Sequence, residues 1–201
     1  RKAAKALHVV GLIGFPSMAL MLVAGRQLGM LLYQNEKAGG HIPMLAAITL
    51  LGFYYAVAES VLESIGLQKR CSVLTVSASL VGLLSTLLLG GVLGLGLKGY
   101  LLGELLSAGL GAALCLYWVC KKAELHIRLG NWVLRPLLAS ATAAALTRLL
   151  LYRLYRTPAA QILVLAFSVG VFLLLYISFL QLLGTDFWSY TQNTLLKKGE
   201  K

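Results

Sequence analysis

The sequence predicts an all-α integral membrane protein with about six transmembrane helices. Three observations carry that prediction: the scarcity of charge, the length of the apolar runs, and the position of the basic residues between those runs. Hydrophobic residues make up 59% of the 201 positions and charged residues only 12%, against about 25% charged in soluble domains. Mean hydropathy is +0.82. A water-soluble core enclosing this much apolar surface would need a longer chain, so a soluble enzyme is not expected and lipid is the expected solvent for most side chains. Formal net charge is +11, but no basic face interleaved with aromatics is present, so nucleic acid is not an expected partner.

A span needs about 20 mostly apolar residues, and six runs meet that length: 7–33, 41–66, 71–90, 99–120, 137–155 and 159–183. The fifth is the weakest, being rich in Ala and Thr with Arg148 inside it. The first follows Arg1, Lys2 and Lys5 like a signal peptide, yet its apolar run is too long and five more follow. Because the chain opens on Arg1, it reads as a piece of a longer protein. After Gly184 a basic tail reads as either a short interfacial helix or a disordered segment.

Alternating spans place Arg1, Lys2, Lys5, Lys69, Arg70, Lys121, Lys122, Arg128, Arg135, Lys197, Lys198 and Lys201 on one side. The other side holds Lys37, Lys98, Arg153 and Arg156. Lys and Arg accumulate on the cytoplasmic side of membrane proteins, so both ends are expected in the cytoplasm. Tyr33, Tyr100, Trp118, Trp132 and Tyr155 fall near span ends, where aromatic belts form.

Several motifs carry both a functional and a plain reading. Gly94, Gly96 and Gly99 satisfy the dinucleotide pattern G-x-G-x-x-G, but that pattern needs a preceding strand and a βαβ unit; here it marks a Gly-rich turn between spans. Gly99, Gly103, Ser107 and Gly111 recur every four residues along the fourth span. Such a small-residue stripe admits a close neighbouring helix, either as static packing or as a sliding surface. Charges inside spans default to functional hypotheses. Arg26 and Glu104 fall at similar depth from the same side, which allows a pair or a shared polar cavity, while Arg26 alone reads equally as snorkelling. Glu59 and Glu63 sit four apart on one helical face; Glu63 reads as an edge residue beside Lys69 and Arg70, and Glu59 as the deeper group. Pro16, next to Gly14-Phe15, removes a backbone hydrogen bond and kinks the first span, as a hinge or as a fixed bend.

No catalytic constellation is found. His8, His41 and His126 are scattered over different spans, and Cys71, Cys115 and Cys120 lack metal-ligand spacing. No metal and no cofactor is expected.

The order of features resembles one family. "ALHVVGLIGFPSMALMLVAGRQLGMLLY" resembles the Pro-containing helix that opens the C-terminal part of polysaccharide flippases, and "VLESIGLQKRCSVL" resembles their turn between helices. "LKGYLLGELLSAGLGAALCLYWVCKK" and "GNWVLRPLLASATAAAL" follow in the same order, the latter leading into two extra C-terminal helices. Over residues 5–185 the chain thus resembles the last six helices of a fourteen-helix transporter of the multidrug/oligosaccharidyl-lipid/polysaccharide (MOP) flippase superfamily, a MATE-like fold. Within it, the likeness is to stage V sporulation protein B, polysaccharide biosynthesis proteins and lipid II flippases.

That resemblance implies residues 5–120 as the four-helix remainder of a C-terminal lobe, 121–136 as a basic cytoplasmic loop, 137–185 as two peripheral helices, and 186–201 as a tail. It implies a bacterial cytoplasmic membrane and an N-terminal lobe of the same protein as partner. The substrate would be a lipid-linked sugar pyrophosphate or peptidoglycan precursor, flipped by alternating access with no bond made or broken. Arg26 would meet the anionic head group, Glu104 would be its counter-charge or gate, and Pro16 with Gly14 the hinge. The lipid tail would lie in a groove formed by spans five and six. Spans matching the family's sodium site carry acids and amides, whereas span three here offers only Ser and Thr, so sodium coupling is not expected. A drug/cation antiporter using Glu59 or Glu104 as proton carrier, and a non-catalytic membrane subunit, are the alternatives.

Overall fold

The computed structural model describes residues 2–34, 39–123, 133–154 and 161–182, and all regular structure within them is helical. The helices are α1 (Lys2–Tyr33), α2 (Ile42–Ser64), α3 (Gln68–Thr86), α4 (Leu97–Ala123), α5 (Arg135–Leu154) and α6 (Gln161–Leu182), with a π-helical turn, Leu87–Val92, extending α3.

Among the described residues five helices are long and apolar enough to cross a membrane, over Ala3–Gly25, Ile42–Ser64, Gln68–Val92, Leu97–Lys122 and Leu165–Leu182. The fifth predicted span also forms a helix, α5, whose 20 residues hold Arg135, Arg148 and Arg153 together with Ser140, Thr142 and Thr147. It docks through small residues: Ala139 and Ala143 are fully buried against α1 and α6. The predicted tail beyond 183 and most of the loop 121–136 lie outside the described residues.

The turn between α2 and α3 is short because Gly66 ends α2 in the left-handed region, at φ +80°. Its N–H donates to the Glu63 carbonyl at 3.0 Å, and the Leu67 N–H donates to the Leu62 carbonyl at 3.0 Å; these crossed bonds close a helix with its last carbonyls satisfied. At the other end, Gly94 and Gly96 adopt φ +65° and +54°, so the G-x-G that resembled a nucleotide motif is a left-handed turn joining α3 to α4.

Neighbours in sequence are not always neighbours in space. The helices pack in the order α3, α4, α2, α1, with α5 and α6 together against α1. Helix α4 is thus inserted between α2 and α3, which meet each other only slightly. Two apolar clusters hold the assembly. Leu7, Ala58, Val61, Leu62, Cys71, Cys115 and Val119 join one end of α1 to α4. Leu12, Ala19, Ala139, Ala143, Phe172, Tyr176 and Leu180 join α1, α5 and α6. Much of the remaining apolar surface faces outward, with Val73 67% and Leu174 69% exposed. In water such a surface would aggregate; in a bilayer it is the expected outer face.

Candidate functional site

The small residues of α4 meet a matching set on α3. A Cβ on Gly99 would sit 2.5 Å from the Gly90 nitrogen, and one on Gly103 would collide with Thr86 and lie 3.1 Å from the Gly82 carbonyl oxygen. One turn on, the Ser107 hydroxyl donates to the Ala78 carbonyl at 3.0 Å, crossing from α4 to α3. Ala78, Gly82, Thr86 and Gly90 are therefore a second stripe with the same four-residue period, which the sequence reading left among unassigned residues. Gly111 departs from this seam. A Cβ there would meet the Tyr55 ring of α2 at 3.1 Å.

Tyr55 leads to the most polar cluster inside the spans. One helical turn further along α2, Glu59 Oε1 accepts a hydrogen bond from the Thr75 hydroxyl of α3 at 2.8 Å. Cys71 Sγ lies 3.9 Å from the same oxygen. Glu63 completes the group, its carboxylate, that of Glu59 and the Cys71 sulfur all lying within 4.8 Å of one another. Glu59 and Cys71 are half-buried and buried, and Glu63 is exposed. The hydroxyl of Tyr55, also buried, has no hydrogen-bond partner among the described residues. Among the described residues Glu63 forms no ion pair with Lys69 or Arg70. Two other hydroxyls of α3 bond to their own helix, Ser72 to the Gln68 carbonyl at 3.1 Å and Ser77 to that of Val73 at 2.9 Å. Thr75 alone of this series reaches a carboxylate.

Glu104 is exposed. It precedes Gly111 by seven residues, or nearly two turns, and so leaves α4 on the same side. Tyr55 and Glu59 lie one turn apart on α2, so the Glu59 cluster adjoins the Gly111 contact; Glu104 leaves α4 about two turns before it. Arg26 lies in α1, but its side chain is outside the described residues. Helices α1 and α4 both pack on α2 and share no packed face among the described residues, so their backbones do not bring Arg26 and Glu104 into adjacent positions.

Pro16 is buried within an uninterrupted α1. Lacking an N–H, it leaves the Leu12 carbonyl without its helical donor. The Tyr176 hydroxyl of α6 supplies one, at 2.8 Å. Gly14, two residues earlier, is where α1 passes closest to α2: a Cβ there would stand 2.7 Å from Leu50 Cδ1. Beside this point an apolar groove of about 260 Å³ opens between α1 and α6, lined by Leu12, Ile13, Pro16, Phe172, Leu173 and Tyr176 among others. A groove was expected from spans five and six; this one is built from one and six.

The fold and these features define a class: among the described residues, an all-helical protein with five helices apolar enough to span a bilayer, a small polar cluster around Glu59 and an apolar groove between α1 and α6. No protein-family model, curated protein or solved structure matches the chain.

Proposed function

We propose that the chain is the C-terminal part of a flippase that moves a lipid-linked oligosaccharide or peptidoglycan precursor across a bacterial cytoplasmic membrane, with both ends of the chain in the cytoplasm. The observation that supports this reading most is the groove between α1 and α6. It is almost wholly apolar and lies beside Pro16, as a site for an acyl chain would require. A pyrophosphate-sugar head cannot cross hydrocarbon with its charge uncovered. On this reading it travels along a polar path in which Arg26 meets the anion and Glu104 balances or gates it, opposite an N-terminal lobe of the same protein. The tail meanwhile stays in the groove. No cofactor and no covalent step are involved, and the protein is not an enzyme.

The groove gives the test. Leu173→Trp and Ile177→Trp fill it without touching Arg26, Glu59 or Glu104. In vesicles containing the intact protein and a fluorescent lipid-linked disaccharide pyrophosphate, each lowers transport at least about tenfold, since a blocked tail site removes binding worth on the order of 0.8 kcal/mol per CH₂. Unchanged transport in both variants contradicts the groove as the tail site.

A second reading is favoured by the Glu59 cluster. A half-buried carboxylate held by Thr75 at 2.8 Å is a suitable proton carrier for a drug/cation antiporter. Loss of transport in Glu59→Gln, with Arg26→Ala harmless, supports that reading over the flippase.

A further inference from the structure

The end of the molecule where α2 turns into α3 carries a feature that neither the groove nor the Glu59 cluster uses. The Arg70 guanidinium carbon lies 4.6 Å from the centroid of the Trp118 ring, and Lys121 Nζ lies 5.5 Å from the same centroid. Lys121 also stands 5.7 Å from the Tyr117 ring, which meets Trp118 edge-on at 6.0 Å. Two cations from different helices therefore share one indole, and Lys69 and Lys122 adjoin them in the chain. Among the described residues neither Arg70 nor Lys121 has a carboxylate in ion-pair reach. Glu63, at the same end, keeps to the Cys71 and Glu59 side. The first N–H groups of α3 open here as well, and no side chain caps them. Unpaired helix N–H groups add positive potential where an anion would sit.

Below this cluster the outer face of α3 is apolar and uncovered. Ser72, Val73, Val76, Ser77 and Leu80 line a shallow groove of about 430 Å³ that runs from the basic end toward the middle of the span. Two cations near one aromatic ring repel each other, which an anion bound close to both would offset. Cation–π contacts fix their positions in advance.

We propose that Arg70, Trp118 and Lys121, with the N-terminus of α3, form a binding site for the phosphodiester head group of an anionic phospholipid whose acyl chains lie along Val73, Val76 and Leu80. The charge selects the head group and the apolar strip requires a lipid rather than a free anion. The proposal does not depend on what the protein transports.

Native mass spectrometry of the detergent-solubilised protein, titrated with phosphatidylglycerol or phosphatidylcholine, tests it. Wild type retains phosphatidylglycerol preferentially. Arg70→Ala/Lys121→Ala weakens that binding about thirtyfold, from about 1 kcal/mol per basic residue near a membrane surface, and leaves phosphatidylcholine unaffected. Arg70→Lys/Lys121→Arg, which keeps both charges, retains most of the affinity and separates loss of the site from loss of folding. Lys98→Ala, at the other end of the bundle, has no effect. Undiminished phosphatidylglycerol binding in the double alanine variant overturns the proposal. So does an equal loss in Lys98→Ala, or displacement of the lipid by millimolar inorganic phosphate, which would make the cluster a general anion patch.

Discussion

Proline at position 16 leaves Leu12 with a carbonyl that no amide of its own helix reaches, and the Tyr176 hydroxyl occupies it at 2.8 Å. Hydrogen bonds between helices in lipid contribute about 0.6 kcal/mol on average and up to about 1.7. This one lies at the upper end, because its acceptor has no helical donor. Tyr176→Phe is expected to destabilise by about 1–1.5 kcal/mol, measured by reversible denaturant unfolding in mixed micelles. Pro16→Ala returns an N–H to Leu12, so in that background the same change costs clearly less. Equal costs in the two backgrounds would show that Tyr176 does not answer for the proline. At Glu59 the expectation is of the same kind: Thr75→Val costs about 1 kcal/mol, whereas Glu59→Gln, which still accepts from Thr75, is nearly neutral in the same unfolding assay. These partners were only half legible in the sequence. Pro16 and Glu59 announce themselves by being costly in a span, but Tyr176 and Thr75 are ordinary until the helices are placed beside them.

Between helices, the seam of α3 and α4 depends on the absence of side chains. Without a hydrophobic drive in lipid, close backbone approach and complementary packing hold helices together. Gly103→Ala would press a methyl group into Thr86 and the Gly82 backbone, for a loss of about 1–3 kcal/mol. Gly52→Ala and Gly170→Ala, where a methyl meets nothing within 4 Å, are neutral or slightly stabilising because alanine favours helix. Thermal unfolding of the three variants checks the contrast, and a similar loss in all three contradicts the seam. The stripe on α4 was legible because its four members follow a strict period. Its partner stripe was not, since Ala78 and Thr86 are too common in membrane helices to stand out. Helix α5 was legible as a helix from its length and Ala content, although its 20 residues carry three arginines, Arg135, Arg148 and Arg153, beside Ser140, Thr142 and Thr147.

For the whole molecule, helical class and most span limits followed from apolar run length, because 1.5 Å per residue and bilayer thickness leave few other solutions. Spatial order did not follow. Nothing in the sequence of α4 says that it separates α2 from α3, and that insertion is what sets the Tyr55 ring over Gly111 and leaves α1 free to meet α6. The same order keeps α1 and α4 from packing together, so the depth match between Arg26 and Glu104 does not become adjacency among the described helices. If both charges line a transport path, they act at separate points along it, and Arg26→Ala and Glu104→Gln should impair transport independently rather than rescue one another as a double variant.

The central claim is that a lipid-linked anionic sugar is turned across the membrane with its head on a cationic path. The direct measurement uses the intact protein in sealed vesicles with a fluorescent lipid-linked disaccharide pyrophosphate, following head-group accessibility on the far side for wild type and Arg26→Ala. The account predicts transport by wild type and at least a tenfold slower rate in the variant, as expected for loss of a charge-assisted contact worth about 1.5–3 kcal/mol. No transport by wild type, in vesicles where another lipid-sugar flippase works, would contradict it.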